Sequence, residues 1–208
     1  MRSNRTIALL AVGVLLATAG CTQLVTGDAS FSANESSVDG ADEYGYELNR
    51  TEWQNVTRTI EAGGESRNIT VTNRVQLYLN RTGDGTPEGA FAVVTSPQVR
   101  IAGQAVNPVA NWSNEEILQE FGSEFDSYGS IEELEERDTE TMTILDTETE
   151  VSTYNATVER DDGETREVVV SATNVQHEED VVIAIGVHDV GDEANADAIE
   201  ELLRNLEH

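Results

Sequence analysis

Cys21 is the only thiol in the 208-residue chain, and two small residues, Ala19 and Gly20, stand directly before it. Small side chains let a peptidase reach the backbone, and the exposed thiol can then be alkylated by a lipid as the new N-terminal residue. Arg2 and Arg5 followed by an apolar run over residues 7–16 precede this site. That run is too short for a bilayer span, which takes about 20 apolar residues, and it reads as an export signal. Thr18 stands where the bacterial pattern prefers leucine, and the two arginines are not adjacent, so a twin-arginine route has no support. Residues 1–20 are therefore expected to be a signal peptide and Cys21 a lipidation site. The membrane lipid is then the first partner and the extracellular face of the membrane the location. Two acyl chains suffice for stable anchoring where one is marginal.

Asparagine supplies the next chemistry. Asn34, Asn49, Asn55, Asn68, Asn80, Asn111 and Asn155 each have Ser or Thr two positions on with no proline between, and so does Asn4 within the signal. This is several times the number that composition alone would give, and it predicts N-glycosylation at Asn49, Asn55, Asn68, Asn80, Asn111 and Asn155. A strand composition rich in Asn and Thr produces the same pattern.

Histidine beside acid invites a metal reading. His177 precedes Glu178, Glu179 and Asp180, and His188 precedes Asp189. With 40 acids in the chain, such neighbours arise by composition, so no metal ligand and no cofactor are assigned. Nucleophile elbow, zinc-protease helix, phosphate loop and EF-hand loop are all missing from the sequence, and no catalytic residue is assigned. Paired carboxylates of a hydrolase are too easily found among 40 acids to be picked out.

The acids are absent in one place. From Gly89 to Asn114 there is no Asp or Glu across 26 residues. The first part of the gap reads as a buried strand. Residues 96–112 read as a long connection holding Gln98, Gln104, Asn107 and Trp112, or as a β-arm turning at Ala102-Gly103 that packs on its own domain. A neutral patch with an aromatic suits an interface core, so these four residues are the candidate partner-binding set.

The net charge is −28, and removal of Arg2 and Arg5 with the signal takes it to −30. All 12 basic residues are arginine. In dilute buffer such charge opposes compaction; at molar salt the screening length falls to about 3 Å and the repulsion largely vanishes. The composition thus points to a salt-adapted protein and argues against nucleic acid as a partner.

The elements that must position these residues follow from periodicity. Residues 21–43 are small and polar and read as an anchored flexible acidic stalk, leaving 44–208 as a single globular domain. Strands are expected near 46–61, 67–80, 90–95, 139–147, 149–160, 165–175 and 181–188. In the second of these, Ile69, Val71, Val75, Leu77 and Leu79 share one parity and polar residues the other, which predicts one wet face. Ser113 to Glu116 is a capping box opening a helix with Ile117, Leu118, Phe121 and Phe125 on one face. A shorter helix is expected from a second box at Ser130 to Glu133. A last helix carries Ile199, Leu202, Leu203 and Leu206. The expected class is α+β, an antiparallel sheet of about seven strands covered by two main helices.

The residues around Cys21, the run Phe91-Ala-Val-Val-Thr-Ser-Pro-Gln, Asn107-Pro-Val and the closing strand and helix together resemble a family of haloarchaeal surface lipoproteins of unknown function. The element order resembles, more distantly, the PsbP-like α/β sandwich, whose members are often accessory subunits of membrane complexes. What these resemblances imply is a non-catalytic binding or accessory module of the envelope with an envelope protein as partner. An extracellular hydrolase using acidic residues is the alternative.

Overall fold

The fold is built around β-strands whose two faces are both apolar. The computed structural model describes residues 28–62, 65–101, 104–105, 107–125, 128, 130–159, 163 and 165–208. The expected signal peptide, Cys21 and the turns at Gly63-Gly64, Ala102-Gly103 and Asp161-Asp162 lie outside the described residues.

Twelve strands and two α-helices are described: β1 (Ala29–Ser32), β2 (Ser37–Val38), β3 (Tyr46–Ala62), β4 (Glu65–Arg81), β5 (Pro87–Pro97), β6 (Arg100–Ile101), β7 (Gln104–Ala105), α1 (Asn114–Phe121), β8 (Ser130–Ile144), β9 (Thr147–Glu159), β10 (Thr165–His177), β11 (Asp180–Asp189), α2 (Glu193–Arg204) and β12 (Leu206–Glu207). Eight strands form one sheet, running β3, β4, β5, β11, β10, β9, β8, with β1 also on β4. β3 pairs with β4 along its whole length, whereas β5 takes residues 74–81 of β4 and β1 takes residues 69–72. β1 and β5 therefore share one edge of β4, end to end, and β1 runs parallel to β4. The sheet is thus mixed and eight-stranded, where about seven antiparallel strands were expected.

Two layers cover it, one on each face. Val75, Leu77 and Leu79 of β4 join Ile183 and Ile185 of β11 and Ile117, Leu118 and Phe121 of α1 in one core. Tyr78 of β4 joins Phe91 and Val93 of β5, Val182 and Ala184 of β11, and Ile199, Leu202 and Leu203 of α2 in the other. Alternate residues of a strand point to opposite faces, so the two cores are the two sides of one sheet. β11 is buried along nearly all its length, as its unbroken apolar run requires. α2 lies so close to it that a Cβ on Gly186 would meet Ile199 Cγ2 at 2.4 Å.

Three expectations are corrected. The polar parity of β4 is wet only in its first half: further along, Gln76 and Tyr78 are buried, Tyr78 within the core on the α2 side of the sheet. The box at Ser130 to Glu133 opens no helix, because this segment is the start of β8, with Ser130 opposite Glu159 and Ile131 opposite Val158. Ile131 and Leu134 pack on the α1-side core, so cross-strand pairing and burial outweigh the local capping signal. Residues 29–43, expected within the stalk, contribute β1, β2 and most of a 3-10 turn at Ala41–Tyr44, and Phe31 takes the place beside Val71. The box at Ser113 does cap α1, with Glu116 N donating to Ser113 Oγ at 3.2 Å and Ser113 N to Glu116 Oε2 at 2.8 Å.

Candidate binding cleft

β5 and β11 stop at Pro97 and Asp180, yet the β3–β4 pair continues for seven more residues of β4, to Glu65 opposite Ala62. Beside residues 69–72 of this overhang β1 takes the place of β5 in the sheet. Val56, Ile69, Val71 and Asn73 form a floor there, and the 96–112 connection together with the end of α1 forms the opposite wall. Between them lies a cleft of about 220 Å³.

The wall is held by buried polar contacts. Asn107 caps the 3-10 turn Pro108–Asn111, its Oδ1 accepting from Val109 N at 3.3 Å, with proline at the first position of the turn. Its Nδ2 donates to Ser96 Oγ and to Pro97 O, both at 2.8 Å, and Ser96 Oγ donates to Asn73 Oδ1 at 2.8 Å. Asn73, Ser96 and Asn107 are all buried, so this chain ties the connection to the sheet with its polar atoms satisfied. Further along, Asn174 Nδ2 donates to Trp112 O at 3.1 Å and Gln176 Nε2 to Ala110 O at 3.3 Å. Trp112, half-buried, sets its ring 6.3 Å from that of Phe121, tilted by 53°. Val99, Val109, Trp112 and Phe121 make this wall apolar.

The rim is charged. Arg58 and Glu120 are exposed at the mouth. Glu124 is buried, with Oε2 accepting from Arg50 Nη2 at 3.0 Å and Oε1 from Gln54 Nε2 at 2.5 Å. Arg50 also donates to Glu124 O at 2.9 Å. Both carboxylate oxygens are thus occupied. Glu124 is suited to hold α1 to the hairpin and poorly suited to shuttle a proton.

Of the four partner-binding candidates, Asn107 and Trp112 line the cleft. Gln98 turns away from it, its Nε2 donating to Gln176 Oε1 at 2.9 Å. Gln104 sits in β7, where Arg100 pairs with Ala105 and Ile101 with Gln104, and its side chain lies outside the described residues. Arg58, Gln54, Glu120 and Glu124 escaped the sequence reading. They reach the cleft from β3 and, more than 60 residues on, from α1 and the 3-10 turn Gly122–Phe125 that follows it, and nothing local to these elements marks them.

The histidines sit elsewhere. His208 Nε2 lies 3.0 Å from Asp180 Oδ2, with both side chains 1% exposed. Asn34 donates to the same oxygen from N at 3.0 Å and Nδ2 at 2.8 Å. The ring of His177 meets His208 edge-on at 5.3 Å. His188 Nδ1 contacts Asp189 O at 3.0 Å beneath α2. Among the described residues no three His, Cys, Asp or Glu side chains converge as metal ligands, and no helix is long and apolar enough to cross a membrane.

The sequon asparagines divide by surroundings. Asn49, Asn55, Asn68, Asn111 and Asn155 are exposed. Asn80 is half-buried, with Nδ2 donating at 3.0 Å to Oδ1 of the buried Asn195. Asn34 is exposed, but its amide is engaged by Asp180.

A sheet with a helical layer on each face and a cleft under an overhanging hairpin defines the architecture. The chain belongs to the family of the domain of unknown function DUF6517, whose model matches residues 35–207. No curated protein is similar to it. Among solved structures it is similar to cyanobacterial PsbP (CyanoP) from Synechocystis sp. PCC 6803, with 12% identity over 85% of this chain and 93% of that one, and a TM-score of 0.36. A likeness at that level bears no argument about this chain.

Proposed function

We propose that the protein is a lipid-anchored, glycosylated surface lipoprotein of a halophilic archaeon, and that it serves the envelope as a non-catalytic binding module. The signal-like N-terminus, Cys21, the sequons and the lysine-free acidic composition support the first part. The cleft supports the second. Its volume of about 220 Å³ falls below the usual range of small-ligand pockets, about 300–1,000 Å³, and suits one or two anchoring side chains of a protein partner. Its wall is pre-arranged by the Asn73–Ser96–Asn107 chain, so a partner would not have to order it. A hydrolase is less favoured, because the one buried carboxylate of the cleft, Glu124, is committed to Arg50 and Gln54. Glycan is expected at the exposed asparagines, Asn155 foremost, and not at Asn80, whose amide nitrogen faces Asn195.

A photocrosslinker at Glu120, on the cleft mouth, tests the module in intact envelopes. It should give a protein adduct of discrete mass, and the same group at Glu159 should give none. Val56→Asp places a charge on the half-exposed floor and should remove the adduct while leaving the melting curve unchanged. An adduct that survives Val56→Asp, or that forms equally at Glu159, would overturn the reading.

A further inference from the structure

The charge of this chain is distributed along it very unevenly. Residues 46–112 hold six arginines and six acids and residues 28–45 ahead of them five acids and no arginine, a net charge of −5 together, whereas residues 113–208 hold four arginines and 29 acids, a net charge of −25. The strand order turns this into a spatial separation, since β3, β4 and β5 lie at one side of the sheet and β10, β9 and β8 at the other. The two edges differ accordingly. β8 exposes Glu132, Glu135, Glu136 and Asp138, charges that discourage pairing with another strand. β3 instead carries three of the four exposed large apolar residues among those described, Leu48, Trp53 and Val56, of which Val56 is the cleft floor and Trp53 has the Arg74 guanidinium 5.4 Å over its ring.

The chain enters the fold at this same, less acidic end. Asp28 sits beside Asn68, whose backbone N–H donates to its Oδ1 at 3.0 Å, and β1 runs parallel to β4 from there. Seven residue steps separate Asp28 from Cys21, and a chain of that length reaches no more than roughly 24 Å. The β3–β4 pair continues past Asn68 to Glu65, roughly 10 Å further at strand spacing.

We infer that the overhanging β3–β4 hairpin is a membrane-docking surface that lies against the bilayer bearing the anchor, with the acidic β8 edge turned outward. This rests on the proposed lipid at Cys21. If that lipid holds the chain, even a taut connection in line with β1 leaves the hairpin end within roughly 14 Å of the anchoring plane, and any slack brings it into contact. The chemistry of the surface agrees with a layer of phosphate-bearing headgroups, which repels carboxylates in contact with it. At molar salt only groups in contact feel one another. What counts is then the composition of the touching hairpin, whose residues 46–81 hold five arginines against four acids.

The test uses the full lipidated chain in phosphatidylglycerol vesicles at molar salt, with nitroxide on the headgroups. With Cys21 consumed by lipid, a single introduced cysteine takes the fluorophore, either Thr57→Cys on the hairpin or Glu159→Cys at the opposite end of the sheet. Emission should be lost at Thr57→Cys and unchanged at Glu159→Cys. Equal loss at both, or loss at Glu159→Cys alone, with the protein vesicle-bound, would overturn the orientation. A position 57 label that is shielded from water-soluble reagents in native envelopes yet stays bright on vesicles would also overturn it, since a protein would then be the cover. Cys21→Ser separates the premise: it should float free of the vesicles, and if it binds as well as the lipidated chain, the anchor reading fails rather than the orientation.

Discussion

His188 is the residue whose chemistry the fold alters in a testable direction. Burial beneath α2 lowers its pKa from the ordinary value; the Asp189 carbonyl and the carboxylates of Asp189 and Asp192 oppose the shift, and Arg137 adds to it. The unfolded chain therefore takes up a proton at higher pH than the folded one, so stability is present above about pH 6.5 and is lost as pH falls below that value. Melting in molar salt from about pH 8 down to about pH 5.5 should show a declining midpoint, still above the range where carboxylates titrate. His188→Gln, which has nothing to protonate, should flatten the decline even though His177 and His208 remain. An identical slope in the variant would show that burial does not govern this residue. At the same scale the sequons carry a lesson. Thr72 donates to Asn55 Oδ1 at 2.7 Å, Thr59 donates to Asn68 Oδ1 at 2.9 Å, and the hydroxyls of Thr57 and Thr70 meet at 3.0 Å. Residues two apart share a strand face, so a face built from Asn and Thr writes the Asn-x-Thr spacing without reference to any glycan. The sequon count alone does not separate these causes; the glycopeptide masses of Asn55, Asn68 and Asn155 would.

At the scale of elements, the approach of α2 to β11 depends on Gly186. Gly186→Ala should cost about 1–3 kcal/mol, since the added methyl meets Ile199 and the helix must lift. Ile199→Ala alone should cost about 2–5 kcal/mol by leaving a cavity. Combined, the two should cost less than their sum, because the methyl fills part of the space the isoleucine leaves. Strict additivity in denaturant melts would show that the helix does not bear on that glycine. The elements legible in sequence were those whose signals are local: the capping box at Ser113, the 3.6-residue spacing of Ile199, Leu202 and Leu203, and the apolar run of β11. Those that were not legible depend on partners far along the chain. β1 is four residues of ordinary polarity whose only claim to strand structure is its register against residues 69–72. The wet face expected at Gln76 is dry because that side of the sheet carries a second core, which takes Val38 and Ala41 from the N-terminal segment as well as α2. Half of the cleft was similarly visible: the acid-free stretch marked Asn107 and Trp112, while Arg58 and Glu124 are brought there by pairing and packing alone.

For the whole molecule, the uneven charge predicts where low salt acts first. As the screening length grows from about 3 Å at 1 M salt to about 10 Å at 0.1 M, repulsion should open the acidic side of the sheet before the hairpin side. Hydrogen exchange during dialysis should therefore lose protection in β8 and β9 at higher salt than in β3 and β4. Glu132→Gln with Glu135→Gln should lower the salt needed for a cooperative melt, and Glu52→Gln with Glu61→Gln should leave it nearly unchanged. Equal effects from the two pairs would mean that total charge matters and its placement does not.

The parallel seat of β1 has a mechanical consequence. A pull on the chain ahead of Asp28 that runs outward past Glu65 acts along the axis of β1 and of β4, its neighbour. Such a load falls on all the hydrogen bonds between the two strands together, so they slide as a set or hold as a set. A strand pulled sideways from one end would give up its bonds one at a time at a far smaller force. Four residues in shear, backed by the Asn34 contacts to the buried Asp180, thus act as a strain relief between whatever tugs on the N-terminal segment and the core behind it.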